Sequence, residues 1–166
     1  MIKLFMIKLI KNISLIFGKG RRYDIYASRK YRIMWYMIPK NASRTIRYHM
    51  EIACPDFVFI GRIPILRFLW KDYIKFAVLR DDEERYASAY RDKVLNRKIW
   101  THDEYVAEMK KEPGNRDHHL IPQRFLYDKD YVDILVHVNE LEYLFRQLNI
   151  NIWKLEHINR TREEAC

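Results

Sequence analysis

Residues 75–93 read KFAVLRDDEERYASAYRDK and residues 34–50 read MWYMIPKNASRTIRYHM, and what these two stretches share decides the fold. Each is an apolar run that meets a polar turn and resumes with helical character. In the earlier stretch the apolar run 31–38 (YRIMWYMI) stops at Pro39, and residues 43–52 continue as a helix. In the later one residues 73–79 (YIKFAVL) lead into a helix over about 83–97. Apolar runs of this length, closed by turn residues, suit strands buried on both faces of a parallel sheet. Each turn also sets hydroxyls and cations where a helix begins, and helix N-termini present unpaired N–H groups and about half a positive charge. Two such turns in one small domain point to a ligand that is anionic at two places, such as a nucleotide phosphorylated at both ends.

Working outward, residues 57–60 (FVFI), closed by Gly61, read as a short strand. Residues 132–138 (VDILVHV) read as another, with a helix over 141–148 behind it. Residues 101–111 predict a helix with Thr101 as its cap and Glu104 three positions on, and EPGNRD at 112–117 predicts a turn. Strands alternating with helices define an α/β protein, expected as three layers, α/β/α, around a mostly parallel sheet. The chain shows no repeat or linker, and 166 residues are enough for one domain with a genuine core. Residues 1–30 are read as an N-terminal amphipathic helix and lead-in, and 31–166 as the single domain.

A formal charge of +9 directs attention to acidic partners: nucleotides, anionic glycans, nucleic acid or an anionic membrane surface. Cys54 and Cys166 are too few for a disulfide framework or a cysteine metal site, and no metal is expected. No 18-residue uncharged apolar stretch occurs, so no transmembrane helix is predicted. The opening MIKLFMIKLIKNISLIF mixes apolar residues with Lys3, Lys8 and Lys11. It reads first as a helix docked on the core or frayed, and second as one lying weakly on an anionic membrane through residues 2–17. A cytoplasmic location is the expectation that follows, with this weak peripheral contact as its variant.

The turn Pro39-Lys40-Asn41-Ala42-Ser43-Arg44-Thr45 offers an anion backbone N–H groups, two hydroxyls and the compact ammonium of Lys40. The nucleoside-triphosphate loop G-x-x-x-x-G-K-[ST] is absent, since no glycine lies between Gly20 and Gly61, and this weighs against a small nucleotide kinase. Taken alone the turn reads more readily as a helix start capped by Ser43, with Lys40 in solvent. In the second stretch Arg80 ends a strand and Ser88 follows eight residues later, with Arg85 and Tyr90 beside it. Arginine supplies a planar donor fork for phosphate, and serine one more bond. Taken alone, these cations and Asp81, Asp82, Glu83 and Glu84 read equally as a surface ion-pair cluster.

Together and in this order the two stretches resemble the sulfotransferases that use 3′-phosphoadenosine 5′-phosphosulfate, more closely the carbohydrate sulfotransferase branch. Pro39-Lys40-x-Ala42-Ser43-x-Thr45 is similar to that family's 5′-phosphosulfate loop. Phe76-Ala77-Val78-Leu79-Arg80-Asp81, then Arg85-x-x-Ser88-Ala89-Tyr90, is similar to its 3′-phosphate segment. His119-Leu120-Ile121-Pro122-Gln123 resembles its His-x-x-Pro-Gln stretch, residues 133–141 its later strand and Glu-Asn-Leu, and LEHINRTR at 155–162 its late Asn-x-Thr loop. Three positions depart from the family pattern: Arg44 for a small hydroxyl residue, Ala42 for the more usual glycine, and Asp82 for a common proline.

The resemblance implies a P-loop-NTPase-like sulfotransferase fold and the phosphosulfate nucleotide as sulfate donor. It implies Lys40, Asn41, Ala42, Ser43, Arg44 and Thr45 at the donor's 5′ end, and Arg80, Ser88 and Arg160 at its 3′-phosphate. Lys40 would stabilise the leaving phosphate, and His119, with His118 as fallback, would take the proton of a carbohydrate or glycoconjugate hydroxyl. Two other readings stand beside this. One is a catalytically degenerate relative that binds the nucleotide or a partner, favoured by Arg44 and by a chain that stops soon after residue 161. The other is a basic nucleic-acid-binding module, disfavoured because the aromatic residues fall mostly in core-like strands and helices.

Overall fold

The computed structural model describes residues 23–63 and 70–150. Five strands form one sheet in the order β3-β1-β2-β4-β5: β1 (Tyr23–Ser28), β2 (Ile33–Tyr36), β3 (Val58–Ile63), β4 (Ile74–Leu79) and β5 (Ile134–His137). β1 pairs antiparallel with β2 and β3, whereas β2 with β4 and β4 with β5 are parallel. Four strands therefore share one direction and β1 alone is reversed. β1 falls inside the segment that the sequence reading assigns to helix and lead-in. Asp24 breaks its apolar pattern, yet that residue pairs with Arg62 of the edge strand β3, whose Nε donates to Asp24 Oδ1 at 2.8 Å. The amphipathic segment 2–17, the late loop 155–162 and Arg160 lie outside the described residues.

The core explains why the strands read so clearly. Ile33 and Trp35 of β2 and Phe76 and Val78 of β4 pack on one face under two helices, α1 (Ser43–Ala53) and α4 (Leu141–Gln147). Those helices contribute Ile46, Met50, Leu141, Leu144 and Phe145. Met34 and Tyr36 of β2 and Ala77 of β4 point to the other face, against Ile25, Ile63 and Trp70, with Tyr73, Leu126 and Tyr127 closing over them. With both faces covered, β2 has no exposed position, which is why its sequence shows an unbroken apolar run instead of alternation.

The remaining elements depart from the sequence reading in detail. The strand expected to close at Gly61 runs on to Ile63. The β1–β3 register slips between Ile25 and Tyr26, so Ile60 is the extra residue, and Gly61 takes φ 118, a value that favours glycine. The helix expected over 83–97 is α2 (Asp82–Tyr90) continuing into a wider π turn at Arg91–Asn96. α3 (His102–Lys110) begins with the expected reciprocal cap, Glu104 N donating to Thr101 Oγ1 at 3.2 Å and Thr101 N to Glu104 Oε2 at 2.7 Å. Among the described residues no helix is long and apolar enough to cross a membrane.

For function the decisive feature is the adjacency of β2 and β4. They run parallel, with Tyr36 beside Ala77, so the turns that follow them open side by side at one sheet edge. Replacement of Gly61 by alanine forces a side chain into its positive-φ conformation at the bulge. Urea denaturation is expected to show a loss of about 1–2 kcal/mol, while unchanged stability would mean the bulge tolerates a Cβ.

Candidate active site

The first turn is shaped by two residues in the left-handed region, Lys40 at φ 70 and Ala42 at φ 55. Ala42, not Ser43, occupies the N-cap of α1, and no side chain caps that end. No acidic residue lies in the first turn of α1 either. Ser43 is half-buried, Arg44 exposed and Thr45 buried within that turn. Lys40 is largely enclosed, and its Nζ donates to Asp92 Oδ2 at 2.5 Å. Burial lowers the Lys40 pKa and the bond to Asp92 opposes the shift. At Asp92 burial acts upward but is outweighed by Lys40 and by the charges of Arg97 and His119, which leaves that carboxyl below the ordinary range.

Asn41 is buried beneath the first turn. Its side chain turns inward, Nδ2 donating to Val78 O at 2.8 Å and to Gln123 Oε1 at 2.5 Å. Gln123 in turn grips the start of the second turn, accepting from Arg80 N at 3.0 Å and donating to Arg80 O at 2.5 Å and Asp82 Oδ1 at 2.8 Å. Asn41 and Gln123 thus tie the two turns together beneath the surface.

The second turn is not a mirror of the first. The first turn of α2 carries Asp82, Glu83 and Glu84, all exposed, so its N-terminus is no open anion site. What remains there for an anion is Arg80 and, two helical turns on, half-buried Ser88. Arg80 Nε donates to Glu84 Oε2 at 2.9 Å, and its Nη1 reaches Lys40 O at 3.4 Å. The cation of the second turn therefore lies directly against the backbone of the first.

A third segment, 117–123, approaches the same edge. His119 N donates to Asp117 Oδ1 at 2.9 Å, and His119 Nδ1 lies 2.7 Å from the same oxygen. Burial and then the neighbouring His118 push His119 down to about 4, against the pull of Asp117. At Asp117 burial acts upward, but the bonds from His119 and Lys93 hold its pKa at about 2. At neutral pH the pair is thus a neutral imidazole and a carboxylate. A carboxylate has no proton to give, so Nδ1–H donates and Nε2 carries the free lone pair. Asp117, His118 and His119 bring three ligand-type atoms within 4.8 Å of one another, but the cation already on this carboxylate is Lys93 Nζ, 3.2 Å from Asp117 Oδ2. The wide π turn sets neighbours Asp92 and Lys93 against Lys40 and Asp117 respectively.

One sheet edge thus gathers an uncapped helix N-terminus, a lysine and an arginine after adjacent parallel strands, and a neutral histidine. The model of the sulfotransferase family matches residues 23–159, and this chain belongs to that family. Among curated proteins and among solved structures none matches. Two residues with no assigned role in the sequence reading prove central. Both stand in the matched stretches, Gln123 closing 119–123 and Arg85 three residues ahead of Ser88, and Arg85 is also four residues from Ala89 on the buried face of α2.

The pH dependence of stability follows from His119. Its folded pKa lies below that of a free imidazole, so between about 6.5 and about 4 the unfolded chain binds more protons than the folded one. Stability therefore falls as pH falls through that window, and the Asp117 contribution is lost only lower, towards about 2. Urea denaturation at pH 7, 5.5 and 4.5 should show this slope in the wild type and a shallower one in His119→Gln. Equal slopes would contradict it.

Proposed function

We propose that this sulfotransferase moves a sulfuryl group from 3′-phosphoadenosine 5′-phosphosulfate to a hydroxyl of a carbohydrate or glycoconjugate. The observation that carries the reading is the meeting of the two turns, where Arg80 Nη1 lies 3.4 Å from the Lys40 carbonyl beside an α1 N-terminus with neither cap nor acid. Such a surface suits a donor with anionic groups at both ends. When bound, the donor supplies an activated sulfuryl group on a 5′-phosphate. The backbone N–H groups of 41–45, with Ser43, Thr45 and Arg44, hold that end. Arg80 and Ser88 take the 3′-phosphate, with Arg160 from the late loop.

Lys40 stabilises the charge that grows on the departing phosphate as the S–O bond breaks. Burial lowers the Lys40 pKa, and the bond to Asp92 works against that shift. His119 Nε2 takes the proton of the acceptor hydroxyl as the new S–O bond forms, with Asp117 fixing the tautomer. Asp92 and Glu84 are the carboxylates that a bound anion displaces from Lys40 and Arg80. A cytoplasmic location and weak membrane contact through residues 2–17 belong to the same reading, on the basic and apolar pattern of that segment.

A relative that binds the nucleotide without turnover is the second reading, favoured by the carboxylates already seated on both cations. Calorimetric titration with 3′-phosphoadenosine 5′-phosphate, against AMP and ATP, separates these readings from failure of both. Binding should require the 3′-phosphate and weaken by about 10–100-fold in Arg80→Ala, the worth of a charged hydrogen bond. Glu84→Gln should tighten it by removing the competitor. Radiolabelled sulfate transfer to a panel of glycans should then fall by about 10²–10³-fold in Lys40→Ala and by about 10²–10⁴-fold in His119→Ala. Binding without transfer supports the second reading. No binding, or preference for ATP, contradicts both.

A further inference from the structure

Arg85 is the one fully buried arginine among the described residues, at 0% exposure. Its guanidinium donates Nε to Pro39 O at 3.0 Å, Nη1 to Ile121 O at 2.9 Å and Nη2 to His118 O at 3.4 Å. Pro39 immediately precedes Lys40, and His118 and Ile121 flank His119. One planar fork therefore spans the turn that holds the lysine and the turn that holds the histidine. These segments share no strand pairing, since β2 pairs with β1 and β4, and residues 117–123 form no strand.

Burying a guanidinium is costly, and an apolar side chain of similar volume would fill the space with less penalty. What an apolar side chain could not supply is three donors in one rigid plane aimed at three carbonyls. Burial lowers the Arg85 pKa, partly offset by Tyr86 and Asp82, which is the cost visible at this residue. Gln123 anchors the far end of the same segment to the Arg80 backbone and to Asn41. The histidine turn is thus fixed from both sides, by Arg85 to the first turn and by Gln123 to the second.

We propose that Arg85 is a positioning residue for sulfuryl transfer: through the carbonyls of Pro39, His118 and Ile121 it sets the Lys40 and His119 turns relative to each other without touching donor or acceptor. This rests on the roles assigned above to Lys40 and His119. Misplacement of a catalytic group by about 1 Å can cost about 10²-fold in rate, so a brace of this kind acts on turnover more than on binding.

The test uses Arg85→Lys, which keeps the charge but not the fork, and Arg85→Gln, which keeps an amide donor without a buried charge. Thermal melting is recorded first for each. In a folded variant kcat should fall by about 30-fold or more while 3′-phosphoadenosine 5′-phosphate affinity stays within about three-fold of wild type. The loss should largely vanish in a His119→Ala background, because a positioning residue has nothing left to position. Imidazole NMR should show the His119 titration moving upward from about 4 as its turn loosens, with Asp117, His118 and Lys93 the charged groups around it.

A folded variant with unchanged kcat and unchanged His119 titration overturns the proposal. So does equal loss with and without His119, or failure of both variants to fold, since Arg85 would then serve the whole domain. Should the wild type transfer no sulfuryl group, the functional reading fails, while the His119 titration in the two variants still decides whether Arg85 holds that turn.

Discussion

A guanidinium sealed inside the protein, Arg85 against the carbonyls of Pro39, His118 and Ile121, is the constraint on which the candidate site depends. The parallel pairing of β2 with β4 brings two turns to the same edge, but it does not bring the histidine there. Residues 117–123 arrive from a segment without strand or long helix, and its position comes from side-chain bonds to backbone. Arg85 holds it on one side and Gln123 on the other, so the candidate site is assembled by two buried polar side chains. Such bonds fix geometry well because each donor meets an acceptor in a water-poor setting, and losing one would leave buried groups unpaired.

The electrostatics of this edge are balanced before any ligand arrives. Lys40 faces Asp92, Arg80 faces Glu84, and Lys93 faces Asp117. The +9 charge of the chain therefore does not translate into bare cations at the site. The three pairs differ in how readily they yield. Glu84 is mostly exposed and its pair with Arg80 is correspondingly weak, whereas Asp92 and Asp117 are more enclosed and their partners nearly buried. On the proposed reading, an incoming dianion would meet the weaker competitor at Arg80. On the same reading Asp92 would be the stronger competitor, at Lys40.

Much of this was legible in the sequence. The α/β class, the strand at 73–79 and the cap of α3 were readable because apolar runs and the Thr–Glu spacing are local signals. The two turns were readable because lysine, serine and arginine stand at helix starts. The reversed strand β1 was not, since Asp24 interrupts its pattern and strand direction depends on partners distant in sequence. Neither was the true cap of α1, because alanine in the left-handed region leaves no compositional trace. The inward turn of Asn41 and the roles of Arg85 and Gln123 depend on which backbone groups lie nearby, information that only the folded chain holds. The matched stretches contained both Arg85 and Gln123, and Arg85 is also four residues from Ala89 on the buried face of α2, but neither signal names the backbone groups they hold.

The most direct test is a crystal structure of the protein with 3′-phosphoadenosine 5′-phosphate. The account predicts the 5′-phosphate against the N-terminus of α1 with Lys40 moved from Asp92 onto it. It also predicts the 3′-phosphate on Arg80 in place of Glu84, and Arg85 unmoved beneath both. A nucleotide bound elsewhere, or bound with Lys40 still paired to Asp92, would contradict it.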